Sequence, residues 1–272
     1  MPADPPLIAL TTDFGLADEY VGVMKGVIAG RAPQARIIDL CHNVPPQDVR
    51  HAAYLLHASW PYFPPSTLHV VVVDPGVGSA RRIILLDTDH GRFLAPDNGV
   101  LTLLLDRPGR QHVHAVTNQE FFLHTVSATF QGRDLFAPVA AALANGTDPA
   151  DLGPTLDPAA LTRLALPQPQ IDAATGSAMG AVVAIDHFGN LLTNLSALHL
   201  TALNVPLDRL MVQLEGVAVG GIRDTYAAVA PNTVVALIGS RGTLEIAVNQ
   251  GNAALRLRAS IGSRVLLTPV SG

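Results

Sequence analysis

The chain has 272 residues, 49% of them hydrophobic and 14% charged, with 17 Lys+Arg against 22 Asp+Glu for a formal charge of -5. That is enough apolar material for a sizeable core in one large domain or two modest ones, and the acidic balance excludes the basic footprint of a nucleic-acid binder and a polybasic membrane patch. MPADPPLIAL lacks the basic and apolar regions of a signal peptide and no apolar run reaches about 18 residues, so a cytoplasmic protein that acts on a small molecule is expected.

LIALTTD (7–13) is predicted as a strand running into a turn at Gly15, and YVGVMKGVIAG (20–30) as a helix that Asp18 caps and Pro33 stops. ARIIDL (35–40) is the next strand. After Pro45-Pro46 a second helix is expected, with Val49, Ala52, Ala53, Leu56 and Trp60 on one core face. LHVVVVD (68–74) has no polar alternation, which marks a strand buried on both faces, as in a parallel sheet. RRIILLDTDHGRFLAP (81–96) reads as a hairpin around His90-Gly91, and DNGVLTLLL (97–105) as a helix capped by Asp97. Residues 133–143 form the last helix of this half, closed by Asn145-Gly146.

Between Thr147 and Gly176 the composition shifts, with Pro149, Pro154, Pro158, Pro167 and Pro169 in a stretch of weak periodicity. Beyond it AMGAVVAID, RLMVQLEG, TVVALIG, GTLEIAVN and SRVLLTPV are short strand-like runs broken by Gly, Asn and Asp. The fold expected is therefore α/β: a Rossmann-like N-terminal domain over 1–165 with a central, mostly parallel sheet, and a smaller β-barrel-like domain over 166–272.

Ligands of open α/β sheets sit at the carboxyl ends of strands, so the polar residues there carry the functional signal. Asp13 closes the first strand and Asp74 closes the valine strand in VVVVDPGVGSARR (70–82), where Gly76 and Gly78 let Arg81 or Arg82 fold back toward Asp74. A turn carboxylate and a solvated basic pair are the plain alternatives. The glycines do not complete a dinucleotide fingerprint, GxxxxGK[ST] and GxSxG are absent, and HExxH is absent despite ten histidines. His112 and His114 share a strand face but are more often a surface pair, so no metal is expected. Cys41, the single cysteine, excludes an intramolecular disulfide and a cysteine zinc site and is expected to be buried and inert; its neighbour His42 points to the opposite face. TFQGRDLFAP (129–138) sets Phe130 and a glycine before a helix, where an anion and a flat ring can be held. IDHFGNLLTN (185–194) and IGSRGTLEIAVN (238–249) are polar clusters in apolar strands, readable as hairpin turns.

Taken together, TTDFGLADEYVGVMKGVI, CHNVPPQDV, VVDPGVGSARR, APDNGVLT, TFQGRDLFAP, IDHFGNLLTN and GSRGTLEIAVN resemble, in order and nearly end to end, the S-adenosyl-L-methionine hydroxide adenosyltransferase family, which is related to fluorinase and chlorinase. The resemblance implies hydrolysis of S-adenosyl-L-methionine to adenosine and L-methionine without a cofactor, in a homotrimer with active sites at subunit interfaces. It implies that Asp13 holds the ribose hydroxyls, that Asp186, Asn190, Ser240 and Arg241 contact the methionine end, and that Phe130 and Asn249 contact adenine. Gly132 would lie beside the nucleophile pocket. Of the family's water-activating Asp, Arg and His, Asp74 and Arg81 fit; the third position, usually TFHGRD, is Gln131. Glutamine orients water through its amide but takes no proton at neutral pH. Two alternatives remain: halide adenosyl transfer, which Asp74 disfavours because the halogenating relatives carry tyrosine there, and a catalytically weak S-adenosylmethionine or adenosine binder, which Gln131 permits.

Overall fold

The computed structural model describes residues 5–270, and the chain divides into two compact units, the first ending at Leu164 and the second beginning at Ala165. In the first unit the strands are β1 (Leu7–Thr12), β2 (Arg36–Cys41), β3 (Leu68–Val72), β4 (Ile83–Thr88), β5 (Gly91–Pro96), β6 (Gln111–Ala115) and the short β7 (Thr155–Leu156). They form one mixed sheet of order β2-β1-β3-β5-β4-β6-β7. β2, β1, β3 and β5 run parallel, and the β4–β5 hairpin, closed at Gly91, turns the remaining edge antiparallel.

The helices of this unit are α1 (Tyr20–Arg31), α2 (Val49–Ser59), α3 (Thr102–Leu105) and α4 (Ala137–Ala144). Successive side chains of a strand point to opposite faces, and the valine run shows why it lacks alternation. Val70 and Val72 join the core under α1 and α4 with Met24, Ile28, Val139 and Leu143, while Val71 and Val73 join the core under α2 and α3 with Ala52, Leu56 and Leu104. A strand sandwiched between two helical layers has no wet face.

Four local expectations change. Asp18 does not cap α1; the cap position is Glu19, without a side-chain bond. Asp97 does not cap α3, which is only one turn long and starts after Leu101. Its carboxylate instead takes Arg82 Nε at 2.9 Å and the Thr162 N–H at 2.8 Å, fixing the extended segment that follows the sheet. The helix expected from 133 opens as a π-turn over Gly132–Phe136 before α4 begins. Cys41, finally, is half-buried against the α2 side of the core and not sealed in it.

The second unit contains β8 (Gln170–Asp172), β9 (Ser177–Ile185), β10 (Leu191–Ser196), β11 (Leu210–Leu214), β12 (Val217–Arg223), β13 (Val234–Ile238), β14 (Thr243–Val248) and β15 (Arg264–Pro269), with two short helices, α5 (Ala197–Thr201) and α6 (Ala253–Leu257). The order β10-β14-β13-β12-β11-β15-β9 is closed by pairing of β9 with β10, which makes a seven-stranded barrel with β8 attached outside. Leu191, Leu195, Val212, Leu244, Ile246 and Leu267 fill its interior. No helix among the described residues is long and apolar enough to cross a membrane.

Candidate active site

The first cavity, of about 220 Å³, opens where the carboxyl ends of β1 and β3 meet the 129–132 segment, and Asp13, Asp74, Phe130, Gln131 and Gly132 all line it. Asp74 follows the buried valines, so the strand delivers a carboxylate to the cavity floor. Its Oδ1 accepts the Gly76 N–H at 3.1 Å, and its Oδ2 accepts Arg81 Nε at 2.8 Å together with Arg81 Nη2. The same Nη2 donates to Gln131 Oε1. A guanidinium has no acceptor, so the amide oxygen must face it and Nε2 is left as a donor. The Asp74 and Arg81 side chains are only 4% and 11% exposed, which shields the pair from solvent screening.

The glycine turn has a definite purpose. Gly78 sits at φ 78°, and a Cβ there would lie 2.7 Å from the Ala128 carbonyl oxygen. Only glycine lets the DPGVG turn pack against the segment that carries Gln131. That segment is anchored by Asp134, fully buried, which accepts Arg133 Nε at 2.6 Å and the Ser127 N–H at 2.7 Å. Burial alone raises the Asp134 carboxyl, but Arg133 and the Ser127 amide outweigh it and hold it below the ordinary range.

At the end of β1, Asp13 Oδ2 accepts the Gln47 N–H at 2.7 Å, which leaves Oδ1 for a ligand. Behind it Thr12 Oγ1 and His42 Nδ1 lie 2.9 Å apart, and the His42 carbonyl takes the Gly15 N–H at 2.7 Å. His42 Nε2 stands 3.0 Å from Asp39 Oδ1 without hydrogen-bond alignment. The cavity wall is aromatic: the rings of Phe14, Tyr20 and Phe130 have centroids 5.0 to 6.1 Å apart, and the Arg133 guanidinium stacks at 5.0 Å on Phe130. Gly132 packs against Phe14 and Met24, where a Cβ would crowd the thioether at 3.1 Å. His124 is exposed and lies outside the residues that line this cavity.

The second unit carries a wider cavity of about 730 Å³, lined by Asp186, Asn190, Ser240, Arg241 and Asn249. The β9–β10 turn is organised by Asp186, whose Oδ1 accepts the Phe188 and Asn190 N–H groups at 2.9 and 2.8 Å and whose Oδ2 accepts Asn190 Nδ2 at 3.0 Å. Gly189, at φ 84°, presses against Asn252, the cap of α6, so no side chain fits there. Ser240 and Arg241 stand on the β13–β14 turn, which Gly242 at φ 71° closes. Asn249 Nδ2 donates to the Val229 carbonyl at 2.7 Å and keeps its Oδ1 for a ligand.

Phe14, Tyr20, Tyr226 and Glu245 line the two cavities and escaped the sequence reading. Glu245 left a trace, a charged residue in the middle of the apolar run TLEIAV. Tyr226 left none, since it sits in a one-turn helix between strands.

The family model described as the SAM hydroxide adenosyltransferase N-terminal domain matches residues 8–153, and that of the C-terminal domain matches residues 180–266. The chain belongs to the SAM hydroxide adenosyltransferase family. Relatives named (R)-S-adenosyl-L-methionine hydrolase share 42% identity in Salinispora tropica, over 98% of this chain and 99% of that one, and 40% in Thermus thermophilus, over 94% and 97%. A fluorinase from Nocardia brasiliensis is 28% identical over 96% of each chain. The crystal structure of an uncharacterized conserved protein from Thermotoga maritima superposes on this family member with a TM-score of 0.90 at 36% identity, covering 96% of this chain and 99% of the other. Hydrolases within the family thus resemble the chain more than a fluorinase does.

Proposed function

We propose that this chain hydrolyses S-adenosyl-L-methionine to adenosine and L-methionine by attack of water on the ribose C5′. The observation that carries the proposal is the shielded Asp74–Arg81–Gln131 network in the first cavity. In this reaction the water oxygen bonds to C5′ while the C5′–S bond breaks and its electron pair returns to sulfur. A sulfonium leaves as a neutral thioether and needs no general acid, so the barrier lies with the nucleophile. Bulk water has a pKa of roughly 15.7 and needs a proton acceptor or a strong field to act near neutrality. Asp74 receives or orients the proton, Arg81 stabilises hydroxide character, and the Gln131 Nε2 donor positions the water oxygen.

Asp13 takes the ribose hydroxyls, and Phe130 and Asn249 take the adenine by stacking and by the free amide oxygen. Gly132 keeps the nucleophile's space open. Asp186, Asn190, Ser240 and Arg241 hold the zwitterionic methionine end, for which a cavity with both carboxylate and guanidinium is suited. The reaction as proposed uses no cofactor or metal and no nucleic-acid or membrane partner, and the working assembly is a homotrimer with active sites at subunit interfaces. Halide transfer is disfavoured because a carboxylate at the floor of the cavity repels an entering anion. The test is chromatography of the intact protein with S-adenosylmethionine, with and without chloride. Equal adenosine and methionine, independent of chloride, support hydrolysis; a chlorinated nucleoside supports the halogenase reading; tight binding without product supports a binder.

A further inference from the structure

Glu245 is the anomaly of the second unit. It occupies the centre of β14, opposite Leu192 on β10 and Leu237 on β13, and is 5% exposed. A buried carboxylate in a strand is costly unless something compensates it. The structure supplies a single hydrogen bond: Tyr226 Oη donates to Glu245 Oε1 at 2.6 Å. Oε2 has no hydrogen-bond partner among the described residues, and it lies so close to the Cα of Gly239 that a side chain there would strike it. Arg241 lines the same cavity, yet no ion pair joins it to Glu245 among the described residues. Burial, with Asp186 adding its negative charge, pushes the Glu245 carboxyl up and outweighs the lowering pull of the Tyr226 hydrogen bond and of the Arg241 charge. Tyr226 is likewise raised, to about 12, by burial and by Glu245, so it remains a donor.

Asp186 has already committed both oxygens to the β9–β10 turn. Glu245 Oε2 is therefore the carboxylate oxygen on this wall without a protein hydrogen bond, while Asp186 offers only the second lone pairs of oxygens already bonded. We propose that Glu245, held by Tyr226, receives the α-ammonium of the amino-acid end of the substrate alongside Asp186, and makes the cavity selective for ligands with a free amino group. This rests on the substrate proposed above and adds a specificity-determining residue to it. A buried strut beneath the Ser240–Arg241 turn is the competing explanation, and it makes a different demand: loss of Glu245 would then weaken every ligand of the cavity alike.

The test is calorimetric titration of the intact protein with S-adenosyl-L-homocysteine, whose neutral sulfur is not expelled, and with its deaminated counterpart carrying a butanoate tail. Wild type is expected to favour the amino compound by roughly 100-fold, and Glu245→Gln to reduce that preference by about tenfold, the scale of one hydrogen bond to a charged group. Affinity of Glu245→Gln for the deaminated compound is expected to move by less than about threefold, within the loss of a neutral contact. Equal weakening of both ligands with the preference intact overturns the inference and leaves the hydrolase reading standing. Should Glu245→Gln fail to fold, Tyr226→Phe keeps the charge and frees the carboxylate; its preference should fall in the same direction, and an unchanged preference overturns the inference. If neither compound binds wild type, the cavity is not an amino-acid site, and the proposed substrate falls with it.

Discussion

The two cavities solve opposite problems. In the first unit the nucleophile-holding groups are bonded to one another: Asp74 to Arg81 and Gly76, and Arg81 to Asp74 and Gln131. That leaves a small, stiff site in which the Gln131 amide donor and the second lone pairs of the Asp74 carboxylate hold a small nucleophile. In the second unit the cavity is more than three times larger, about 730 against 220 Å³, and retains unspent acceptors on Glu245 and Asn249. A network closed on itself positions a reacting atom, whereas one with open valences recognises a ligand. Substitutions in the Asp74–Arg81–Gln131 network should therefore act on kcat and those in the second cavity on KM.

The largest expected effect tests the first half of that contrast. Asp74→Asn removes the carboxylate charge that pairs with Arg81 and the group that takes the water proton, and steady-state kinetics should show kcat lower by about 10²- to 10⁴-fold with KM within about threefold. A rise in KM with kcat intact would dissolve the distinction between the units. Gly78→Ala strikes the same network through the backbone, since it combines a left-handed φ with a clash against Ala128. It should cost about 1–3 kcal/mol in denaturant unfolding and lower kcat as the 127–132 segment moves. Arg241→Ala in the second unit should instead raise KM by roughly 10-fold or more while kcat stays within about threefold, because it removes a charge-assisted contact to the substrate carboxylate.

How much of this was legible follows the same division. The first site announced itself because its residues lie within short stretches whose geometry is local: an apolar strand ending in Asp, then glycines, then Arg. The fold-back of Arg81 onto Asp74 spans seven residues and one turn. The parallel strands, the β4–β5 hairpin and the hairpin turns at Asp186–Asn190 and Ser240–Gly242 were readable for the same reason. Glu245 and Tyr226 were not, because they are 19 residues apart and meet only where the β12–β13 connection reaches β14. Asp97 was misread as a cap because capping is judged on neighbours, whereas its partners, Arg82 and Thr162, come from distant segments. The π-turn at Gly132 could not be read from periodicity, which is that of an ordinary helix.

The units should also differ in their response to acid, a smaller effect. His69 in the first unit is 1% exposed, stacked 4.9 Å from Phe93, and burial pushes it from its ordinary 6.5 to about 4. The unfolded chain binds a proton there before the folded one does, so the stability it allows is full above 6.5 and falls by about 3 kcal/mol as pH drops through 4. Glu245 in the second unit is raised, so its contribution is fully present below its ordinary value and is lost as pH rises through the raised one. Hydrogen exchange at pH 7.5 and pH 5 should show protection falling in the first unit and holding or rising in the second. His69→Phe should flatten the acid limb of the first unit alone.

The smallest effect concerns the glutamine. Gln131→His offers the water a proton acceptor beside Arg81, and kcat should rise by up to about 100-fold, the lower end of general-base catalysis, and acquire a dependence on pH near the ordinary histidine value. A rate that falls would mean that the Gln131 amide donor matters more than a base.

The most direct test is reaction in water enriched in oxygen-18, followed by mass spectrometry of the nucleoside. Attack of water on C5′ should deliver one heavy oxygen to the 5′-hydroxyl of adenosine, with methionine released in equal amount and no heavy atom gained. Adenosine free of the label, or a nucleoside bearing a halide at C5′, would contradict water as the nucleophile that Asp74, Arg81 and Gln131 hold in place.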